Sequence, residues 1–309
     1  VKAVAPARIA VGDAELPVYV SQDWTKPQPG VTRAVLVLHG LLRNANVYYR
    51  SAITAMHAAG PAGRGSLMIV PQFLATVDMA AHDLPPTVLH WSATGWEGGD
   101  PAEGPSTASS FDALDAILTH LADRHLFPSL RTVVVAGHSG GAQVVQRYAI
   151  AGKAEAALTA AGIAVRYVVA NPSSYAYFDA SRPFPPVSTS CPRFNDWKYG
   201  MDHRPPYLAA PTPAALEAAY IARDVTYLIG ALDRNPEQPA LDRSCMGEAQ
   251  GATRYDRAYS YFGVMRIRDG AAFKHHIIEV PGVGHDGDGM FTSPQGVTAL
   301  FGGDAQAKK

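Results

Sequence analysis

The chain has 309 residues, 47% of them hydrophobic and 17% charged, with a formal net charge of −1 and no basic run. Such a composition supports a large buried core and argues against nucleic acid as the main partner. No apolar run approaches the roughly 20 residues of a membrane-spanning helix. The chain carries no signal-peptide pattern and opens at Val1 without a start methionine, as a processed chain would.

Residues 8–20 alternate apolar and polar, predicting a hairpin around Gly12-Asp13. After a Pro/Gly-rich connection, residues 34–38 are continuously apolar, as in a strand buried on both faces, and run into His39-Gly40-Leu41-Leu42. A helix is expected over 48–59 and a strand over 66–70, stopped by Pro71. Residues 72–107 are long and irregular and hold Trp91 and Trp96; a loop of that length in a compact domain is usually functional. Ser109-Ser110 opens a helix with Leu114, Ile117, Leu118 and Leu121 on one face. Strands follow at 131–136 and 165–170, the second ending at Asn171-Pro172.

Residues 172–223, rich in proline and aromatics, read as an insertion or lid beside the sheet, with a helix at 214–221. A strand over 225–229 leads to Gly230-Ala231-Leu232-Asp233, and a last strand over 273–280 leads to Pro281-Gly282-Val283-Gly284-His285. The polar tail beyond Gly302 is expected to fray. Buried strands alternating with helices predict an α/β fold: a mostly parallel central sheet with helices on both faces, in a single domain over 1–309. Ligands on such sheets sit at the C-terminal ends of the strands. His39-Gly40, Ser139, Asp233 and His285 all fall there.

The segment Val133-Val134-Val135-Ala136-Gly137-His138-Ser139-Gly140-Gly141 joins a β-branched run to a helical pattern at 142–148 through a serine. Glycines two before and two after the serine permit close packing of strand and helix, so Ser139 is read as a nucleophile on a strained turn. The amides after it lie at a helix N-terminus, where they can hold a developing negative charge. A serine hydroxyl needs a base, and the base an orienting acid. His285, on a short glycine-rich loop, is the expected base, and Asp233, at the mouth of the preceding strand, the expected acid. Asp224 lies at the wrong end of that strand, Asp242 is farther along and expected to be helical, and Asp286 and Asp288 adjoin the histidine too closely. Asn171 carries no charge, and Asp179 and Asp196 lie in the insertion.

The chain order Ser139…Asp233…His285 and the layout around it resemble the α/β-hydrolase superfamily, and within it the exported bacterial serine esterases. The resemblance spans roughly residues 34–301, with 172–223 its least familiar part. It implies an oxyanion hole from the amides of Gly140 and Leu41, with Leu42 one position away as the alternative. It also implies cleavage of carboxylic esters, small or polymeric, through an acyl-enzyme on Ser139. The same triad serves amidases, peptidases, lactonases and acyltransferases. A non-catalytic binding protein would show a broken triad. No cofactor motif supports a redox or metal enzyme: Gly137–Gly141 lacks the lysine of a phosphate loop, and residues 285–289 lack the later ligands of a calcium loop.

His138 is expected to be structural, packed under the turn, and His39 to hydrogen-bond the loop after it. His275 and His276 should face opposite sides of a strand. Trp91, Trp96, Tyr175, Tyr177, Trp197 and Tyr199 either staple the irregular segments to the sheet or wall a substrate pocket; Trp91, Trp96, Tyr175 and Trp197 are the substrate-contact candidates. Cys191 and Cys245, both in polar, loop-like surroundings, are either free thiols or, as favoured here, one disulfide closing a loop of about 54 residues. A disulfide would place the protein outside the cytosol, secreted or periplasmic. The oligomeric state is left open.

Overall fold

Successive residues of the apolar runs point to opposite faces of a sheet, and both faces are covered. The structure, a computed structural model, describes residues 1–185 and 190–302; the tail beyond Gly302 and residues 186–189 of the insertion lie outside that range. β1 (Ala7–Val11) and β2 (Ala14–Val20) form the expected hairpin, with Gly12 at φ +60° in its turn. They are followed by β3 (Arg33–Leu38), β4 (Ser66–Pro71), β5 (Thr132–His138), β6 (Ala164–Ala170), β7 (Asp224–Gly230) and β8 (His276–Val280). Among the described residues these strands make one eight-stranded sheet in the order β1-β2-β4-β3-β5-β6-β7-β8. β2 runs antiparallel to its neighbours β1 and β4, and every other pairing is parallel.

Val133, Val135, Tyr167 and Val169 face one side of the sheet. They pack there against α2 (Ser110–Leu121), α3 (Gly140–Ala151), α4 (Pro213–Ala222) and α5 (Arg254–Asp269). Val134, Ala136, Val168 and Ala170 face the other side, against α1 (Ala45–Ala58) and α6 (Pro294–Phe301). Strands covered twice have no solvent face, so the sequence shows unbroken apolar runs instead of alternation. Each valine buried this way contributes roughly 1.5–3 kcal/mol against leaving it in water.

Three differences from the expected elements have local causes. Residues 72–107 are less irregular than their composition suggests: Leu74–Ala75 pairs with His90–Trp91, a short helix spans Thr76–Ala81, and the Phe73 and Trp96 rings stack at 5.6 Å. The last strand starts at His276 and not at Phe273, because Gly270–Ala272 turns as a 3-10 helix first; His275 is buried and His276 exposed. Between Asp233 and Phe273, where a helix is expected only around Asp242, the 16-residue α5 packs on the sheet farther along the chain. Its capping box is legible in the sequence: Thr253 Oγ1 accepts from the Asp256 amide, and the Asp256 carboxylate accepts from the Thr253 amide.

The 172–223 segment is held down along much of its length. Tyr175, Tyr177, Phe178, Trp197 and Tyr207 are buried in the core, and the Trp197 indole donates to the Gly98 carbonyl at 2.6 Å. A Cys191–Cys245 disulfide, with Cα atoms 6.0 Å apart, ties it to the short helix Cys245–Glu248. Replacing both cysteines by serine is expected to lower stability by up to about 4 kcal/mol through the freed loop. Denaturant unfolding of the two proteins checks this; two titratable thiols in the native protein would overturn it.

Candidate active site

The turn between β5 and α3 is built from steric necessity. Ser139 is held at φ 57°, ψ −119°, a conformation that costs a side-chain-bearing residue of order 1–3 kcal/mol. A Cβ on Gly137 would lie 2.3 Å from the Gly141 carbonyl oxygen, and one on Gly141 would lie 2.4 Å from the Leu38 carbonyl oxygen. Gly140 is less tightly confined: its Cβ would stand 2.7 Å from the flexible Glu97 Oε1 and 3.2 Å from the Leu41 amide nitrogen. The Ser139 amide donates to the Ala170 carbonyl at 3.0 Å, anchoring the turn to β6. As the first residue of α3, Gly140 has no intrahelical acceptor for its N–H.

His285 stands between Ser139 and Asp233. Its Nε2 is 3.0 Å from Ser139 Oγ and its Nδ1 is 2.8 Å from Asp233 Oδ2. An ionised carboxylate only accepts, so Nδ1 carries the ring proton and Nε2 is left as the acceptor for the serine hydroxyl. Asp233 is 3% exposed. The other acids are engaged elsewhere. Asp242 is not helical as expected but lies in the loop ahead of Cys245–Glu248, where its carboxylate accepts from Tyr199 Oη at 2.6 Å and the Ser244 amide at 2.9 Å. Asp224 pairs with Arg166, Asp179 with Arg268, and Asp196 with Arg193. Asp288 accepts from Ser51 Oγ, and Asp286 caps the helix that starts at Gly287.

Two residues outside the expected set position this chain. Asn171 accepts from the Gly230 amide at 2.9 Å and donates to the Gly284 carbonyl at 3.2 Å, joining the loops that carry Asp233 and His285. Buried Arg254 lies 3.8 Å from Asp233 Oδ1 and donates to the Ala240 carbonyl at 2.6 Å, beside the serine. Burial pushes the Arg254 guanidinium down to about 10, with Asp233 opposing, so it stays charged at neutral pH. Nothing local in the sequence marks Arg254, which follows Asp233 by a full loop and opens a helix.

His39 accepts from the Phe73 amide at Nε2, 2.9 Å, so its proton is on Nδ1, which donates to the Gly40 carbonyl at 2.9 Å. His138 Nδ1 meets Tyr48 Oη at 3.0 Å, and its ring lies 4.7 Å from that of His285. Burial pushes His39 and His275 down to about 4 and His138 well below its ordinary value.

Two cavities meet at Ser139. One, of about 380 Å³, is lined by Leu42, Tyr48, Gln238, His285 and Asp286. The other, of about 310 Å³, is lined by Thr94, Glu97, Gln143, Lys198, Tyr199 and Asp242. Leu41 and Ala240 border both. A larger cavity of about 580 Å³, beside Phe184, Tyr255 and Tyr259, contains none of Ser139, Asp233 and His285. The expectation of an aromatic wall is corrected: Trp91, Trp96 and Tyr175 are fully buried and Trp197 is 8% exposed, and none lines either cavity at Ser139. They staple the long segments to the sheet. Of the aromatics singled out in those segments, Tyr199 reaches the cavity. With the rings turned inward, the smaller cavity is walled by Glu97, Gln143, Lys198 and Asp242 together with Leu41, Ala240 and Leu241.

Two outcomes follow from this packing. Gly141→Ala, whose Cβ meets backbone and no flexible side chain, should lose at least about 3 kcal/mol or fail to fold, against an unaffected Gly30→Ala, where nothing lies within 4 Å; thermal melts compare them. The unfolded chain protonates its histidines below about pH 6.5, whereas buried His39 stays neutral down to about 4. Stability should therefore rise with pH across that window and fall on acidification from 6.5 toward 4, by roughly 3 kcal/mol for His39 alone. Unfolding free energies at pH 7 and 4.5 measure the slope, and His39→Asn should flatten it.

The alpha/beta hydrolase family model matches residues 35–300. Two solved structures share the fold across nearly the whole chain. Poly(aspartic acid) hydrolase-1 from Sphingomonas sp. KT-1 is 21% identical, with a TM-score of 0.63, covering 93% of this chain and 96% of that one. LpqC, a poly(3-hydroxybutyrate) depolymerase from Bordetella parapertussis, is 21% identical, with a TM-score of 0.63, covering 91% of this chain and 86% of that one. No curated protein matches the sequence. With its family model spanning the sheet from β3 to α6, and the strand order and serine turn in place, the chain belongs to the alpha/beta hydrolase family.

Proposed function

We propose that the protein is a serine hydrolase that cleaves carboxylic esters through an acyl-enzyme on Ser139. The observation that carries this reading is the continuous hydrogen-bonded line from Ser139 Oγ through His285 to Asp233, at 3.0 and 2.8 Å. Ser139 attacks the ester carbonyl while His285 Nε2 takes its proton, and Asp233 stabilises the imidazolium that forms. The negative charge on the carbonyl oxygen is held by the amides of Gly140 and Leu41; Leu41 is favoured over Leu42 because its nitrogen lies 3.2 Å from where a Gly140 Cβ would stand. His285 returns the proton to the leaving alcohol, then activates water to release the acid. The two solved structures bear the names of enzymes that act on polymers, which puts polymeric as well as small substrates within range.

The Cys191–Cys245 disulfide supports a secreted or periplasmic site of action, since such bonds persist where the surroundings are oxidising. No helix among the described residues is long and apolar enough to cross a membrane.

Ser139→Ala should lower turnover of p-nitrophenyl esters, tried from acetate to palmitate, by about five to six orders of magnitude without unfolding the protein. Asp233→Asn should lower it by about four, because the imidazole loses its preferred tautomer. Asp224→Asn, at the far end of β7, should leave it unchanged. A fluorophosphonate should label Ser139 in the native chain. Undiminished turnover by Ser139→Ala would sink the reading.

A further inference from the structure

The two cavities at Ser139 differ in what they can receive. The leaving oxygen must come within reach of His285 Nε2, and His285 lines the 380 Å³ cavity and not the 310 Å³ one. Gly140, whose amide faces the developing oxyanion, lines the 310 Å³ cavity and not the other. With the leaving alcohol taken on the His285 side, by Leu42 and Tyr48, the space left at Ser139 for the acyl group is the side of Glu97 and Lys198.

That acyl side holds spare hydrogen-bonding capacity. The Lys198 ammonium is largely buried and donates to the Thr94 carbonyl at 3.0 Å, leaving two N–H groups unused. Glu97 is buried, and its Oε2 accepts a 3.4 Å bond from Gln143 and stands 4.0 Å from Lys198 Nζ. Its Oε1 has no hydrogen-bond partner among the described residues and lies beside Gly140, 2.7 Å from where a Cβ would stand. A donor and an acceptor with free capacity thus sit together next to the oxyanion amides. A plain alkyl acyl chain entering here would strip water from both and replace nothing. Charge narrows the choice further. Glu97 and Asp242 would repel a carboxylate, while Lys198, with Arg147 behind Gln143 at 3.0 Å, would repel an ammonium. A neutral group that both accepts and donates fits.

We propose that this cavity selects acyl groups bearing a hydroxyl within two or three bonds of the scissile carbonyl, the hydroxyl accepting from Lys198 and donating to Glu97. The protein is then an esterase for hydroxy-acid esters, and Lys198 and Glu97 are its specificity-determining residues. The proposal rests on Ser139 as the nucleophile.

The test compares kcat/KM for p-nitrophenyl 3-hydroxybutyrate, 2-hydroxybutyrate, butyrate and hemisuccinate, in the native protein, Lys198→Met and Glu97→Gln. At least one hydroxylated ester should exceed butyrate by about tenfold or more in the native protein, as a hydrogen bond to a charged group allows. Hemisuccinate should fall below butyrate. Each variant should bring the hydroxy-to-plain ratio to within about threefold, a readout that a general loss of activity does not move. Butyrate equal to or better than both hydroxylated esters, hemisuccinate the best substrate, or a ratio untouched in both variants would overturn the proposal. Fluorophosphonate labelling of Ser139 in all three proteins separates the readings. Labelling without hydroxyl preference defeats the specificity alone, whereas neither labelling nor turnover in the native protein defeats the hydrolase reading beneath it.

Discussion

The candidate site depends on one steric constraint, the reversal from β5 into α3 within a single residue. The chain can turn there only because strand, helix and the exit of β3 approach to distances that exclude a Cβ: Gly137 against Gly141, and Gly141 against the Leu38 and His39 carbonyls. That contact does more than seat Ser139. By pressing α3 onto the end of β3 it brings the Leu41 amide beside Gly140, so the turn that raises the hydroxyl also draws together the two amides proposed as oxyanion donors. The strain of a serine at φ 57° is sustained by its surroundings, with β5 buried between β3 and β6 and the Ser139 amide bonded to Ala170.

Around that fixed point the remaining groups arrive from separate loops and are tied to one another. Asn171, at the end of β6, bonds both to Gly230 and to Gly284, so the Asp233 and His285 loops share one clamp. Arg254 links Asp233 to the 238–242 loop, which forms the rim of both cavities at Ser139. His39, neutral and bonded at both ring nitrogens, links the loop after β3 to Phe73. Such cross-links hold side chains to the tolerance that proton transfer needs.

The aromatic residues of the two long segments serve a different end from the one their number suggests. Phe73, Trp91 and Trp96 pack together beside the loop after β3, with His39 against Trp96. Tyr175 and Tyr177 pack on Tyr261 of α5. Long segments with few ladder bonds need that apolar burial to be held in place. Once the rings turn inward, the surface they leave on the smaller cavity at Ser139 sets Glu97, Gln143, Lys198 and Asp242 beside Leu41, Ala240 and Leu241.

Features with a local cause are legible in the residues themselves. Unbroken β-branched runs announce doubly covered strands, and Gly-x-Ser-x-Gly after such a run announces the turn. Asp233 and His285 follow their strands at the end where a parallel sheet gathers its loops. The start of α5 is equally local in origin, through its Thr253/Asp256 box, whereas the place of Arg254 against Asp233 is not. Contacts between distant segments have no such local cause and arise only on folding: Glu97 with Gln143, Lys198 with Thr94, Asn171 with Gly284 and Arg254 with Asp233. Nothing in residue type tells a tryptophan in a loop whether to face the core or the cleft. That choice follows from which apolar surface is left uncovered once sheet and helices have packed, and it is a property of the assembled fold.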